Sequence, residues 1–211
     1  MSSVAIQGNA SGTGVITLAS PNTNSSYTVN LPAAAGTMVT TDGTQTLTNK
    51  TIGTGYGGGV VISGTSVAST SGTSIDFTSI PSWVKRVTVM LSGVSTSGTS
   101  NLQIQIGSGS FTTSGYSGQA STSATSAYNS SAFLITAAIT AANLSSGIAT
   151  LALITSNTWV ESGNLANTVT NNMNLSGGSL ALSGALDRVR ITTANGTDTF
   201  DAGSINILYE G

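Results

Sequence analysis

The sequence predicts an all-β protein, with short strands over residues 1–69 that need partners to be stable and an antiparallel, jelly-roll-like β-sandwich over residues 70–211. Three observations carry this. In Val87-Thr-Val-Met-Leu91, Leu102-Gln-Ile-Gln-Ile106 and Ile205-Asn-Ile-Leu-Tyr209, apolar residues recur at every second position, which buries one strand face and leaves the other polar. Of 211 residues, Ser and Thr supply 34 each, Gly 26 and Asn 16. Thr, with Val and Ile, suits a pleated surface, while Gly and Asn supply tight turns. Finally, 38% of residues are hydrophobic and only 6% charged, the reverse of the apolar-poor, charge-rich composition of disordered chains.

Along the chain, Gly14-Val-Ile-Thr-Leu18, Tyr27-Thr-Val-Asn-Leu31 and Thr37-Met-Val-Thr-Thr41 are alternating pieces separated by punctuation such as Ser20-Pro-Asn-Thr-Asn-Ser-Ser26. Each is too short to own a core, so residues 1–69 alone are not expected to make a stable monomer. The run Gly53-Thr-Gly-Tyr-Gly-Gly-Gly59 reads as a flexible joint. Beyond it, strands are expected at Thr73–Thr78, Val84–Val94, Leu102–Ile106, Ala132–Ile139, Ile148–Ile154, Thr158–Glu161, Ser179–Leu182, Leu186–Thr192 and Ser204–Tyr209. The Ala-rich centre of Phe133-Leu-Ile-Thr-Ala-Ala-Ile-Thr-Ala-Ala142 also admits a short helix, though its β-branched content favours a strand.

His and Cys are both absent, which excludes disulfides, thiolate or imidazole metal sites and catalysis by a His base. No cofactor is expected. Net charge is −2, with Lys50, Lys85, Arg86, Arg188 and Arg190 as the basic residues, so there is no field to gather phosphates and nucleic acid is not an expected ligand. No basic leader or apolar run of about 18 residues occurs, and the chain reads as soluble, without membrane insertion.

The carboxylates are Asp42, Asp76, Glu161, Asp187, Asp198, Asp201 and Glu210. Asp198 and Asp201 are the nearest pair for glycosidic acid–base work, but Asn195-Gly-Thr-Asp-Thr-Phe-Asp-Ala-Gly203 reads more simply as turns held by Asx hydrogen bonds. A calcium loop closing on a Glu is missing, and no metal site is expected. Arg188 and Arg190 share a strand face, with Asp187 beside them. They could clamp an anion, yet cross-strand or inter-subunit ion pairs are the favoured reading. Trp83 and Trp159 are read as a half-buried anchor and a core filler ahead of sugar platforms. Tyr56, Tyr116 and Tyr128, in Gly/Ser-rich loops, are the candidates for exposed recognition. Gly53–Gly59 and Gly107-Ser-Gly lack the Lys and the strand-to-helix setting of a phosphate loop. Seven Asn-x-Ser/Thr triplets, at Asn9, Asn24, Asn49, Asn129, Asn143, Asn174 and Asn195, carry little signal, because this composition yields about five by chance.

The stretch Gly8–Val39, containing Ser20-Pro-Asn-Thr-Asn-Ser-Ser-Tyr-Thr-Val-Asn-Leu-Pro32, resembles a module of tailed-bacteriophage fibre and virion surface proteins. It runs into Thr46-Leu-Thr-Asn-Lys-Thr-Ile52, similar to a tail-fibre shaft motif. Ile80-Pro-Ser-Trp-Val-Lys-Arg-Val-Thr-Val-Met-Leu91, Asn157-Thr-Trp-Val160, Leu186-Asp-Arg-Val-Arg-Ile-Thr-Thr193 and Asn195–Glu210 resemble a second phage module. The resemblance implies a virion structural protein and not an enzyme. It implies a homotrimer attached to other phage tail or capsid proteins through residues 1–69, with a distal sandwich. Two arrangements stay open: a short tail fibre whose sandwich contacts the host surface, with a surface glycan as candidate ligand, or a capsid decoration or head-fibre protein. Longer adaptors usually precede tail-fibre shafts, whereas here the module begins within ten residues of the start, which keeps the second arrangement in view.

Overall fold

A computed structural model describes Ser11 and residues 61–211. The latter all belong to the compact unit Ile52–Gly211. The strands expected at 14–18, 27–31 and 37–41, the glycine run 53–59, the shaft motif 46–52 and residues Asp42, Lys50 and Tyr56 lie outside the described residues.

Fourteen strands and no helix make up the described chain: β1 (Val61–Ser63), β2 (Val67–Ala68), β3 (Ser74–Thr78), β4 (Arg86–Thr96), β5 (Leu102–Ser108), β6 (Ser110–Phe111), β7 (Gly118–Ser121), β8 (Ser126–Asn129), β9 (Phe133–Leu134), β10 (Ser145–Thr155), β11 (Thr158–Asn167), β12 (Asn172–Ala181), β13 (Arg188–Thr193) and β14 (Phe200–Glu210). All pairings are antiparallel. The larger sheet has the order β1-β14-β4-β10-β11-β12-β7-β8, with β2 also on β14. The smaller runs β3-β13-β5-β6, with β9 also on β5. β1 and β2 precede residue 70, where the sequence places the start of the C-terminal domain, and both pair with β14.

Strand period decides which side chains meet. Val87, Val89 and Leu91 of β4, Leu151 of β10, Trp159 and Leu165 of β11, and Ile205 and Ile207 of β14 project from the larger sheet. Ile75 and Phe77 of β3, Ile104 and Ile106 of β5, and Val189 and Ile191 of β13 project from the smaller. These residues form one apolar cluster shared by both sheets, an arrangement compatible with the expected sandwich. Full burial of each such side chain stabilises the fold by about 1.5–3 kcal/mol relative to exposure.

The strand expected at Ala132–Ile139 is cut to two residues, and no helix replaces it. The reason lies in its hydrogen bonds. Ile135 N donates to Leu102 O at 3.0 Å, Thr136 Oγ1 accepts from Leu102 N at 2.8 Å, and Asn174 Oδ1 accepts from Ala137 N at 2.9 Å. Side chains take the place of a ladder partner, so the segment stays buried without extending the sheet.

The long β4–β14 ladder bends where its register shifts between Phe200 and Ser204. Gly203 sits in that bulge with φ of 90°, and a Cβ there would lie 2.4 Å from Gly93 O. Both the conformation and the space demand glycine.

Candidate functional site

The outer face of the smaller sheet gathers Asp76, Arg188 and Arg190. The registers align Asp76 of β3, Arg190 of β13 and Gln105 of β5 in one cross-strand row, with Ser74, Thr192 and Gln103 in the next. Because Ile104 and Ile106 turn into the core, Gln103 and Gln105 turn outward. Arg190 Nε and Nη2 donate to Asp76 Oδ1 and Oδ2 at 2.8 and 2.6 Å. The guanidinium carbon of Arg190 lies 4.1 Å from the Phe111 ring centroid, and that of Arg188 lies 5.6 Å from it. Arg188 in turn donates to Asp187, Nε to Oδ1 at 2.7 Å. This hydrogen bond holds the Asp187 carboxyl below the usual carboxylate range. Arg190 thus makes a cross-strand ion pair of the kind favoured over an anion clamp, whereas Arg188 pairs with its sequence neighbour Asp187.

Beside these pairs lies a polar hollow of about 260 Å³, lined by Ser74, Gln103, Gln105, Arg190, Thr192 and Asn195 among others. Gln103 Oε1 accepts from Asn129 Nδ2 at 2.7 Å, and Gln105 Nε2 donates to Ser131 O at 3.3 Å. Asn195 Oδ1 at the rim accepts from Thr197 N and Asp198 N, while its Nδ2 donates to Asp198 Oδ1 at 2.7 Å. Asp198 Oδ2 also accepts from Ser100 N at 3.0 Å. The 195–198 segment is thus an Asx turn, as its sequence suggests. The Asn195 hydrogen bond, followed by that of Ser100, lowers the Asp198 pKa. Among the described residues, no three carboxylates gather where they could hold a metal ion.

The aromatic residues divide differently from expectation. Trp83 is a half-exposed anchor tilted against Tyr209, with ring centroids 6.0 Å apart. Trp159 fills the core. Tyr128 is exposed, as a recognition residue must be. Tyr116, expected to be exposed in its Gly/Ser-rich loop, is instead 2% exposed. Its hydroxyl accepts from Ile106 N at 2.8 Å and donates to Thr112 O at 3.0 Å, and its ring meets Phe133 edge-on at 4.8 Å. Burial pushes its pKa up to about 12. The loop is polar, but the hydroxyl is the partner that β5 needs where β6 diverges from it, a requirement local composition does not display.

Glu161 was missed as a special position. It lies on the Trp159/Leu165 side of β11, 4% exposed. Its Oε1 accepts from Ser176 Oγ at 2.8 Å, while Oε2 is buried with no hydrogen-bond partner. Burial pushes its pKa up to about 7. The signal was available: extending the strand to Leu165 at period two puts Glu161 between two apolar residues on the inner face. Gly163 leaves the space, since a Cβ there would lie 2.8 Å from Glu161 Oε1 and 2.4 Å from Ser176 Oγ.

The outer face of the larger sheet has a different chemistry. Met90, Ile148, Asn164 and Leu175 follow one another across β4, β10, β11 and β12 in a single row. Ile148 and Leu175 are 50% and 56% exposed, with Met173 beside them at 52%. The row contains no charged residue. The Arg86–Glu210 ion pair lies further along β4 and on its neighbour β14.

Comparison of the chain with family models, with characterised proteins and with solved structures returns no match.

Proposed function

We propose that the chain is a bacteriophage virion structural protein, a short homotrimeric tail fibre attached through residues 1–69, whose β-sandwich contacts the host surface. The observation that carries this reading is the uncharged outer row Met90–Ile148–Asn164–Leu175 with Met173 alongside. Large aliphatic and thioether groups left in water across several neighbouring strands mark a surface that is covered in assembly. A chain with 6% charged residues lacks the charge that keeps free monomers soluble, which supports the same conclusion. The motifs that resemble phage fibre modules point to three copies and to a virion location.

Nothing in this role requires chemistry. Asp76, Asp187 and Glu210 are held by arginines and Asp198 by turn groups, and Glu161 is enclosed in the core. The protein acts by shape and attachment, as a structural component and not an enzyme.

Sedimentation of the full chain tests the reading. Three copies per particle are expected, and the double variant Ile148→Glu/Leu175→Glu should release monomers that retain wild-type β circular dichroism. A wild-type monomer would overturn the assembly. Binding of purified protein to host cells separates the fibre from a capsid decoration protein, which would assemble equally well but bind no cells.

A further inference from the structure

The polar hollow on the smaller sheet has uncommitted hydrogen-bonding groups of both kinds. Gln103 and Gln105 are 4% and 8% exposed, each anchored by one end of its carboxamide: Gln103 by Oε1 to Asn129, Gln105 by Nε2 to Ser131 O. Among the described residues, Gln103 Nε2 and Gln105 Oε1 make no hydrogen bond and so remain one donor and one acceptor at fixed positions. Arg190 commits Nε and Nη2 to Asp76 and keeps Nη1 as a second donor. Thr192 Oγ1 donates to Thr73 O at 2.7 Å, which leaves its lone pairs as a second acceptor. Ser74 adds a hydroxyl that does both.

Charge and shape narrow the ligand. No carboxylate lines the hollow, so no negative charge is there to balance a bound cation. The one guanidinium is already neutralised by the bidentate Asp76, so an anion gains little there. Nearly all the lining is polar, which disfavours an apolar ligand. The Phe111 face is covered by Arg190 and Arg188, so no aromatic platform is offered for stacking. What remains is a neutral group that donates and accepts at several adjacent atoms, the hydroxyl pattern of a sugar ring. The volume, about 260 Å³, falls just below the about 300–1,000 Å³ of sites that enclose drug-sized ligands, so it suits one ring.

We infer that this hollow is a binding site for a single neutral saccharide ring, with Gln103, Gln105, Arg190, Thr192 and Ser74 as its hydrogen-bonding groups. The site rests on the host-contact reading above only for the source of the sugar.

The test uses the full chain with free glucose, galactose, mannose and N-acetylglucosamine, read by saturation-transfer NMR and by amide-shift titration. At least one sugar should bind, with shifts concentrated on β3, β5 and β13. Gln105→Leu should weaken it about tenfold and Ser74→Ala, at a half-buried hydroxyl that packs no core, about threefold. Ile154→Ser, at an exposed position of β10 on the opposite sheet, should leave it unchanged. Binding by none of the sugars, or binding with shifts elsewhere and unaltered by Ser74→Ala, overturns the site. Cell binding measured in parallel keeps the two readings apart. Cells bound equally by wild type and Gln105→Leu, with no free sugar bound, would sink the hollow and spare the host contact. Sugar bound without cells would do the reverse.

Discussion

Arg190 and Asp76 stand directly opposite each other on β13 and β3, joined by two hydrogen bonds of 2.8 and 2.6 Å, with the guanidinium lying over Phe111. Both side chains are about one-third exposed, which screens the attraction. Planarity and two-point geometry still distinguish this pair from an ordinary surface contact.

Asp76→Ala should therefore cost about 1 kcal/mol of folding stability, with a smaller loss in high salt. Arg190→Lys should cost a similar amount, because an ammonium keeps the charge but loses both the fork and the stacking over Phe111. Urea denaturation at two ionic strengths measures both. An unchanged midpoint for both variants would show that the pair contributes nothing net.

Glu161 gives the fold a pH dependence of opposite sign to that of its surface carboxylates. An unfolded Glu titrates near 4.5 and the buried one at about 7. Below the lower value both states hold the proton. Between the two values only the folded state holds it, so stability falls as pH rises through this window, by about 3 kcal/mol at about 1.4 kcal/mol per unit. Asp187, Asp198 and Glu210 are held low by Arg188, Asn195 and Arg86, so they add stability as pH rises toward the ordinary carboxylate range. Maximum stability is expected at about pH 4–5. Glu161→Gln should abolish the decline toward neutral pH in thermal melts across the range. A decline that persists in this variant would place its origin elsewhere.

Tyr116→Phe removes a hydroxyl that satisfies Ile106 N and Thr112 O in a site closed to water. The two backbone groups are then left unpaired, at an expected cost of about 1–3 kcal/mol in chemical denaturation. The far-ultraviolet spectrum should be unchanged, since the ring still packs on Phe133. A Phe variant as stable as wild type would mean that water reaches those groups.

Much of the described fold was legible because burial in a sheet leaves a period-two imprint. Val87–Leu91, Leu102–Ile106 and Ile205–Tyr209 each display one, and each lies within a strand with the expected residues buried. The Asx turn at Asn195 was equally local, set by side chains bonding to backbone within three residues. Short strands such as β7 and β8 left no comparable imprint, because four residues with small Gly or Ala on the more buried side are too few to show a period.

The sequence by itself determined the class of the described fold, its antiparallel habit and the absence of thiol and imidazole chemistry, since composition and alternation depend on no partner. Tertiary structure decided the rest. It buried Tyr116 against an unpaired amide, enclosed Glu161 beside Gly163, and brought Gln105, Arg190 and Asp76 into one row from three distant strands. The physical reason is that cross-strand register joins residues far apart along the chain, and the energies of burial and pairing belong to the neighbours so created.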